Sequence, residues 1–302
     1  MKAIKNNRII MTDFKTIGIV GLGLIGGSLA LEIKKRKIAE KVIGFSRKYS
    51  TLEKAKVDGL IDEYFVDFEE GIKNVDFLII STPINVIKDY FLKIKRINPD
   101  ILITDVASVK NKIVKDALEI LGKNSNFVGS HPIAGSDRSG ISAVQENLFE
   151  NKFVIITPSD YTKEENILRV KKFWTAVGSQ TIILSPEEHD RLLALTSHLP
   201  HFLVYLLLSL MYEQNIDALL PGIGTGFLDT TRIGKSSPEL WAEIFIANKE
   251  NILNYISIFE NNLSEMVDIL KKDDIQKLTE KLLSFKKVRD ELDGKRQNIQ
   301  RN

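Results

Sequence analysis

A doubly wound, mainly parallel α/β sheet followed by an all-α segment is the architecture that this 302-residue chain predicts. Three observations predict it. Short β-branched runs alternate with helix-length amphipathic segments as far as about residue 185. The first of those runs leads straight into a glycine-rich turn and then a helix. Beyond residue 185 the strand-like runs stop, and apolar residues recur at helical spacing.

Taken in order, strands are expected over 16–20, 41–45, 77–81, 101–105, 127–129, 153–157 and 181–184. Helices fall between most of them, for example over 25–37, 85–94 and 111–121. Lys34-Lys35-Arg36-Lys37 closes the first helix, where cations suit the negative end of the dipole, and reads as a solvated helix end. Ser185-Pro186-Glu187-Glu188 is a helix start, with serine as N-cap, proline in the first turn and glutamate placed to close a capping box. Ser237-Pro238-Glu239 repeats that start. Helical spacing then runs over 240–258 and 275–288, and the turn-rich stretch 221–226 interrupts the helices. The change of texture predicts an α/β domain over 14–185 and a helical domain over 186–302.

Composition removes several classes of function. The chain is 43% hydrophobic and 27% charged, with a formal net charge of +2, so its total charge carries no polyanion-binding signature and no nucleic-acid partner is expected. It has no cysteine, which excludes disulfides, thiolate nucleophiles and cysteine-ligated metals. The best apolar candidate, 202–211, is about half the length a bilayer requires, so no membrane span is expected. The basic N-terminus lacks the apolar centre of a signal peptide, Met11 offers an alternative start that would make residues 1–10 an extension, and the cytoplasm is the expected location.

The run 16–20 passes into Gly21-Leu22-Gly23-Leu24-Ile25-Gly26 and a helix. Gly21 permits the tight turn, Gly23 lets a pyrophosphate approach the backbone, and Gly26 lets helix and strand pack closely. The free N–H groups of the helix start then face the phosphates. Ser28, one turn in, reads as packing. NAD sites usually place an acid at the end of the second strand, but here Ser46, Arg47 and Lys48 stand there. Two cations and a hydroxyl favour a 2′-phosphate, hence NADP, with NAD held through backbone contacts as the alternative. The expected cofactor-binding set is Gly21, Gly23, Leu24, Ile25, Gly26, Ser46, Arg47, Lys48, Thr82 and Pro83.

Four histidines allow each to be weighed. His131 follows the apolar run at 127–128 and is flanked by Pro132, Ala134 and Gly135, which suits a catalytic base near neutral pH; a turn histidine bonded to backbone is the plainer alternative. Ser108 lies after the fourth strand, where ligands of doubly wound sheets bind, although it could serve only as an N-cap, and Asp105 could be structural. His198 and His201 sit one helical turn apart without a third ligand, so no metal site is expected. Arg232 offers a guanidinium suited to a carboxylate. His189, behind the capping box, reads as exposed and without a role.

Together the glycine-rich opening, 105–110, 130–140, 197–201 and 229–234 resemble the prephenate/arogenate dehydrogenase family of tyrosine biosynthesis, in family order and over about residues 17–260. The resemblance implies a Rossmann domain, a helical domain that builds a homodimer, and oxidative decarboxylation of prephenate, or alternatively of arogenate, with hydride transfer to NAD(P)+. It assigns His131 as the base, Ser108 as the residue orienting the ring hydroxyl, Arg232 to the ring carboxylate and His201 to the substrate side chain. It places Asp137 and Asp229 at the entrance, and Ser236 and Trp241 near the neighbouring subunit's site. His198 is left as a packing residue with a secondary role. Retention of His201 leans toward prephenate. Two alternatives compete: a β-hydroxyacid-type dehydrogenase, which leans on a catalytic lysine, and a non-catalytic nucleotide sensor, which has no need of Ser108, His131 and Arg232 together.

Overall fold

The structure, a computed structural model, describes residues 14–136 and 138–301. Residues 1–10, Met11 and Asp137 lie outside the described residues. Eight strands form one sheet: β1 (Thr16–Val20), β2 (Lys41–Phe45), β3 (Glu63–Phe65), β4 (Phe77–Ile80), β5 (Leu102–Asp105), β6 (Phe127–Pro132), β7 (Phe153–Thr157) and β8 (Gln180–Ile183). Their order is β3-β2-β1-β4-β5-β6-β7-β8. Every pairing is parallel except β6 with β7. The chain leaves β1 for β2 on one side and returns to β4 on the other, so the crevice of the order reversal lies at the carboxyl end of β1.

Alternation along each strand explains why both sheet faces are covered. Ile17, Ile19, Phe77 and Ile79 point into one apolar cluster with Leu29, Ile33, Phe173 and Trp174. Val20, Leu78, Ile80 and Ile103 point into the other with Ile87, Phe91, Ile113 and Phe127. The helices Leu24–Arg36 and Glu164–Val177 supply the first layer, and Ile84–Ile97 and Asn111–Leu121 the second. Trp241 and Ile244, from the helix Pro238–Ala247, join the second cluster.

The sequence does not predict β3. It has three half-buried residues on the edge of the sheet, too few to show a period of two. Strand β6 runs three residues further than expected, because β7 pairs antiparallel to it and carries Ser130, His131 and Pro132 into the ladder opposite Ile156, Ile155 and Val154. The Ser185 capping box forms in full, and Ser237 caps its helix through the Leu240 N–H.

The last strand ends at Ile183 and the next helix starts at Pro186. The described residues up to Lys249 nevertheless make one compact unit with the sheet, and those from Glu250 make a second. In that second unit the helix Lys249–Lys271, from Glu250 on, and the helix Ile275–Arg301 are long, and the Lys281–Glu265 bond at 2.6 Å joins them. In the first, Pro186–Ser209 is one continuous helix of 24 residues with a π-helical turn at Ala194–His198. It is long and apolar enough, by length and composition, to cross a membrane, which the longest apolar run did not suggest. Three of its polar residues, His189, Asp190 and His198, are buried and bonded within the unit.

Candidate active site

Gly21 ends β1 with a φ of 87°, where a Cβ would also overlap the Ser81 carbonyl. A Cβ on Gly26 would overlap the Gly21 carbonyl, so helix and turn touch backbone to backbone. On Gly23 a Cβ would meet no described atom within 4 Å. Gly23 caps the helix Leu24–Arg36 in an extended conformation with no side-chain cap, leaving the first N–H groups to a ligand. Leu24 is buried in the first apolar cluster and Ile25 packs against it, so what these two offer a ligand is backbone. Across the crevice, Thr82 Oγ1 is buried with no hydrogen-bond partner among the described residues, and Pro83 caps the helix Ile84–Ile97. Open space over Gly23, free helix N–H groups and an orphan hydroxyl fit a dinucleotide.

Ser46 Oγ accepts the Lys48 N–H at 3.1 Å and shapes the turn after β2. Arg47 and Lys48 are exposed there, and the Arg47 charge reaches as far as Tyr90, pulling its pKa down against the stronger upward effect of burial. Ser28 Oγ accepts the Gln145 N–H at 2.9 Å, a structural bond.

His131 sits near the end of β6, on the edge of the sheet where β1 also ends, and is 9% exposed. The residue before it is held on all sides. Ser130 N–H donates to Asp105 Oδ1 at 3.2 Å, and Ser130 O accepts from Lys110 Nζ at 2.8 Å. Its hydroxyl lies 2.7 Å from Thr104 Oγ1 and accepts the Trp174 indole N–H at 3.1 Å. Asp105 and Lys110 themselves form a fully buried ion pair. Asp105 is therefore structural, and the pair continues the β5–β6 ladder past its last backbone rung, Thr104 with Val128.

His131 Nδ1 is 2.8 Å from His189 Nε2, and His189 Nδ1 is 2.8 Å from Asp190 Oδ1. The expectation that His189 is exposed fails: it is fully buried. Pro186, His189, Asp190 and Leu193 are the buried positions of their helix, an i, i+3, i+4, i+7 stripe that could have located both polar residues on the inner face. Burial, then the neighbouring His189, Lys110 and His198, push the His131 pKa well below its ordinary value, so the imidazole is neutral at pH 7. Burial also lowers His189, against the opposing pull of Asp190.

His198 Nδ1 is 3.0 Å from Asn248 Nδ2, which also donates to Asp190 O at 2.7 Å. Its Nε2 has no bond of good geometry among the described residues but faces the Ser108 backbone, and burial lowers its pKa to about 4. Ser108 is half-buried between β5 and the helix Asn111–Leu121, and Lys110 rather than Ser108 is the helix N-cap. One turn on, His201 Nδ1 lies 3.0 Å from Ser197 O, and its ring stacks on Trp241 at 3.5 Å. Burial lowers the His201 pKa, and the nearby Arg232 charge adds to that. Trp241 is buried beneath His201. Ser236 O accepts the Tyr205 hydroxyl at 3.1 Å, while Asp229 and Arg232 are exposed at the helix Thr225–Thr231 and just after it. Among the described residues no group of three His, Asp or Glu is placed to hold a metal ion.

Comparison with known proteins is consistent over both halves of the chain. Residues 29–183 match the prephenate dehydrogenase nucleotide-binding domain, and residues 185–284 the prephenate dehydrogenase dimerization domain. The chain is 35% identical to the prephenate dehydrogenase of Bacillus subtilis, over 92% of this chain and 76% of that protein. The structure of Aquifex aeolicus prephenate dehydrogenase in complex with hydroxyphenyl propionate and NAD+ superposes with a TM-score of 0.86 at 35% identity, covering 92% of this chain and 98% of that one. Synechocystis arogenate dehydrogenase superposes with a TM-score of 0.78 at 31% identity, covering 92% and 99%.

Proposed function

The chain belongs to the prephenate dehydrogenase family, and from that premise we propose that it converts prephenate to 4-hydroxyphenylpyruvate by oxidative decarboxylation, with His131 as the base. The observation that carries the reading is a neutral, nearly buried imidazole at the sheet edge shared with the phosphate cradle. His131 takes the proton of the ring hydroxyl as hydride leaves the same carbon, and returns it to the phenolic oxygen once carbon dioxide has gone. General-base help of this kind is worth about 10²- to 10⁴-fold. A bound nicotinamide dinucleotide supplies the hydride acceptor. Ser108 orients the hydroxyl, a positioning contribution that depends on the loop packed against His198. Arg232 holds the ring carboxylate, and a single exposed guanidinium does so without stabilising it too strongly to leave. Asp229 lines the entrance, and Ser236, whose carbonyl accepts the Tyr205 hydroxyl, lies beside the site.

Arogenate is the alternative substrate, differing by an ammonium in place of the side-chain ketone. The side chain meets His201, whose surroundings carry the Arg232 charge. An electropositive corner favours a ketone over an ammonium, and hence prephenate. Ser46, Arg47 and Lys48 favour NADP over NAD.

The working form is a homodimer. Leu192, Leu195 and Leu206 of the helix Pro186–Ser209, with Leu210 just after it, are 43–71% exposed, an apolar surface that a twofold mate would cover. The decisive experiment is an assay of NAD and NADP against prephenate and arogenate, with His131→Asn beside the parent. Turnover is expected to fall about 10²- to 10⁴-fold in the variant, with NADP affinity unchanged. A variant as fast as the parent would remove His131 as the base, and a parent that oxidises neither compound would remove the enzyme reading.

A further inference from the structure

We propose that His189 and Asp190 are positioning residues that fix the tautomer of His131, so that its Nε2, and not its Nδ1, is the atom that takes the substrate proton. The inference rests on the reading of His131 as the base and adds which atom acts and what selects it. Asp190 comes first. Its Oδ1 accepts the Lys110 N–H at 2.8 Å and its Oδ2 the Asn111 N–H at 3.0 Å, at the start of the helix Asn111–Leu121. A carboxylate only accepts, so His189 Nδ1, 2.8 Å from Oδ1, carries the hydrogen. Neutral His189 then has a lone pair on Nε2. His131 Nδ1, 2.8 Å away, must donate to it, and the remaining lone pair of His131 falls on Nε2.

The arrangement is more than a hydrogen-bonded core. Asp190 and His189 are buried, and Asn248 bonds the Asp190 carbonyl, so the pair is held by elements packed from several directions. Ser130, bonded at its N–H, carbonyl and hydroxyl, fixes the backbone from which His131 projects. When His131 Nε2 takes the proton, the positive charge is already bonded at Nδ1 through His189 to a carboxylate. Asp190 keeps its charge and is not itself protonated. A carboxylate that holds an imidazole in one tautomer is known from serine proteases; here one extra imidazole stands between the carboxylate and the base.

The full chain labelled with 15N at its four histidines tests this directly at pH 7.5. His131, His189 and His201 are expected with hydrogen on Nδ1 and an unprotonated Nε2. His198, which accepts at Nδ1 from Asn248, is expected with the reverse. In His189→Leu the His131 hydrogen should move to Nε2, and kcat should fall about 10- to 100-fold with KM changed less than about 3-fold. His189→Gln, which restores an acceptor opposite His131 Nδ1, should return the Nδ1–H tautomer and most of that loss. A parent spectrum with His131 protonated at Nε2 would overturn the proposal, and needs no variant to fold. So would a His189→Leu enzyme that keeps the parent's tautomer or kcat. The spectrum reports the tautomer whether or not prephenate is turned over, so this proposal and the assigned reaction fail separately.

Discussion

At the scale of single residues, the proposed preference for NADP rests on charge placement, and the protonation state of the base on burial. Arg47 is exposed at the end of β2 with Lys48 beside it, and Ser46 turns the backbone there by accepting the Lys48 N–H. Only a 2′-phosphate gives that guanidinium a full negative partner, because a ribose hydroxyl carries no charge. Arg47→Ala is therefore expected to raise KM for NADP about tenfold or more while changing KM for NAD less than about twofold, measured by steady-state assay with each cofactor. Equal effects on the two would remove the assignment. Lys110 presents the opposite case, a cation removed from water and matched by Asp105. Removing one member leaves the other buried and unpaired, so Lys110→Met is expected to cost about 3–5 kcal/mol in urea unfolding. Loss well under 1 kcal/mol would show that water reaches Asp105.

At the scale of elements, the glycine turn separates folding from binding. A Cβ on Gly26 would overlap the Gly21 carbonyl, which belongs to backbone and has no side chain to swing away. Gly26→Ala is expected to lower the melting temperature by several degrees. Gly23 has an ordinary φ of −80° and open space around it, so Gly23→Ala should keep the parent melting temperature yet weaken dinucleotide binding about tenfold or more in titration calorimetry. Two alanines with the same effect on melting would contradict that division. The turn was legible in the sequence because three glycines stand at fixed spacing, Gly21 and Gly26 answering steric demands of the backbone and Gly23 leaving space open. The strands β1, β2 and β7 were legible to the residue, since runs such as Ile17–Val20 alternate between two apolar clusters. What escaped was set by tertiary pairing. The antiparallel partner β7 lengthens β6 through His131, and nothing local announces it. His189 was misjudged for a different reason: a polar residue behind a capping box reads as solvated, and only its stripe with Pro186 and Leu193 places it inside. Ser108, His131 and His201 stand out as separate motifs, whereas the bonds that tie His131 to Asp190 cross 58 residues of sequence and then one.

At the scale of the whole molecule, the histidines couple stability to pH. All four have pKa values pushed below the ordinary value of 6.5, in each case chiefly by burial, and His198 falls to about 4. The unfolded chain binds its protons near 6.5, so as pH falls below that value the unfolded state gains protons that the native state refuses. Stability is thus fully present above about pH 6.5 and declines on acidification, until each native pKa is passed. Three of the four, His131, His189 and His198, are no more than 9% exposed, and each contributes a slope of somewhat more than 1 kcal/mol per pH unit while in its window. His201 is half-buried and adds less. Carboxylates with lowered pKa, such as Asp62 bonded to Lys34, act in the same direction but only below about pH 4. The two contributions therefore separate by pH. Thermal unfolding at pH 5.5 is expected well below that at pH 7.5, and calorimetry in buffers of different ionisation enthalpy should count about three protons taken up per chain at the lower pH. A count near zero would mean that the histidines are already charged in the folded protein. His131 would then be unable to accept a proton, and the acid-labile fold and the ready base would be lost together, since both follow from the same imidazoles being held neutral.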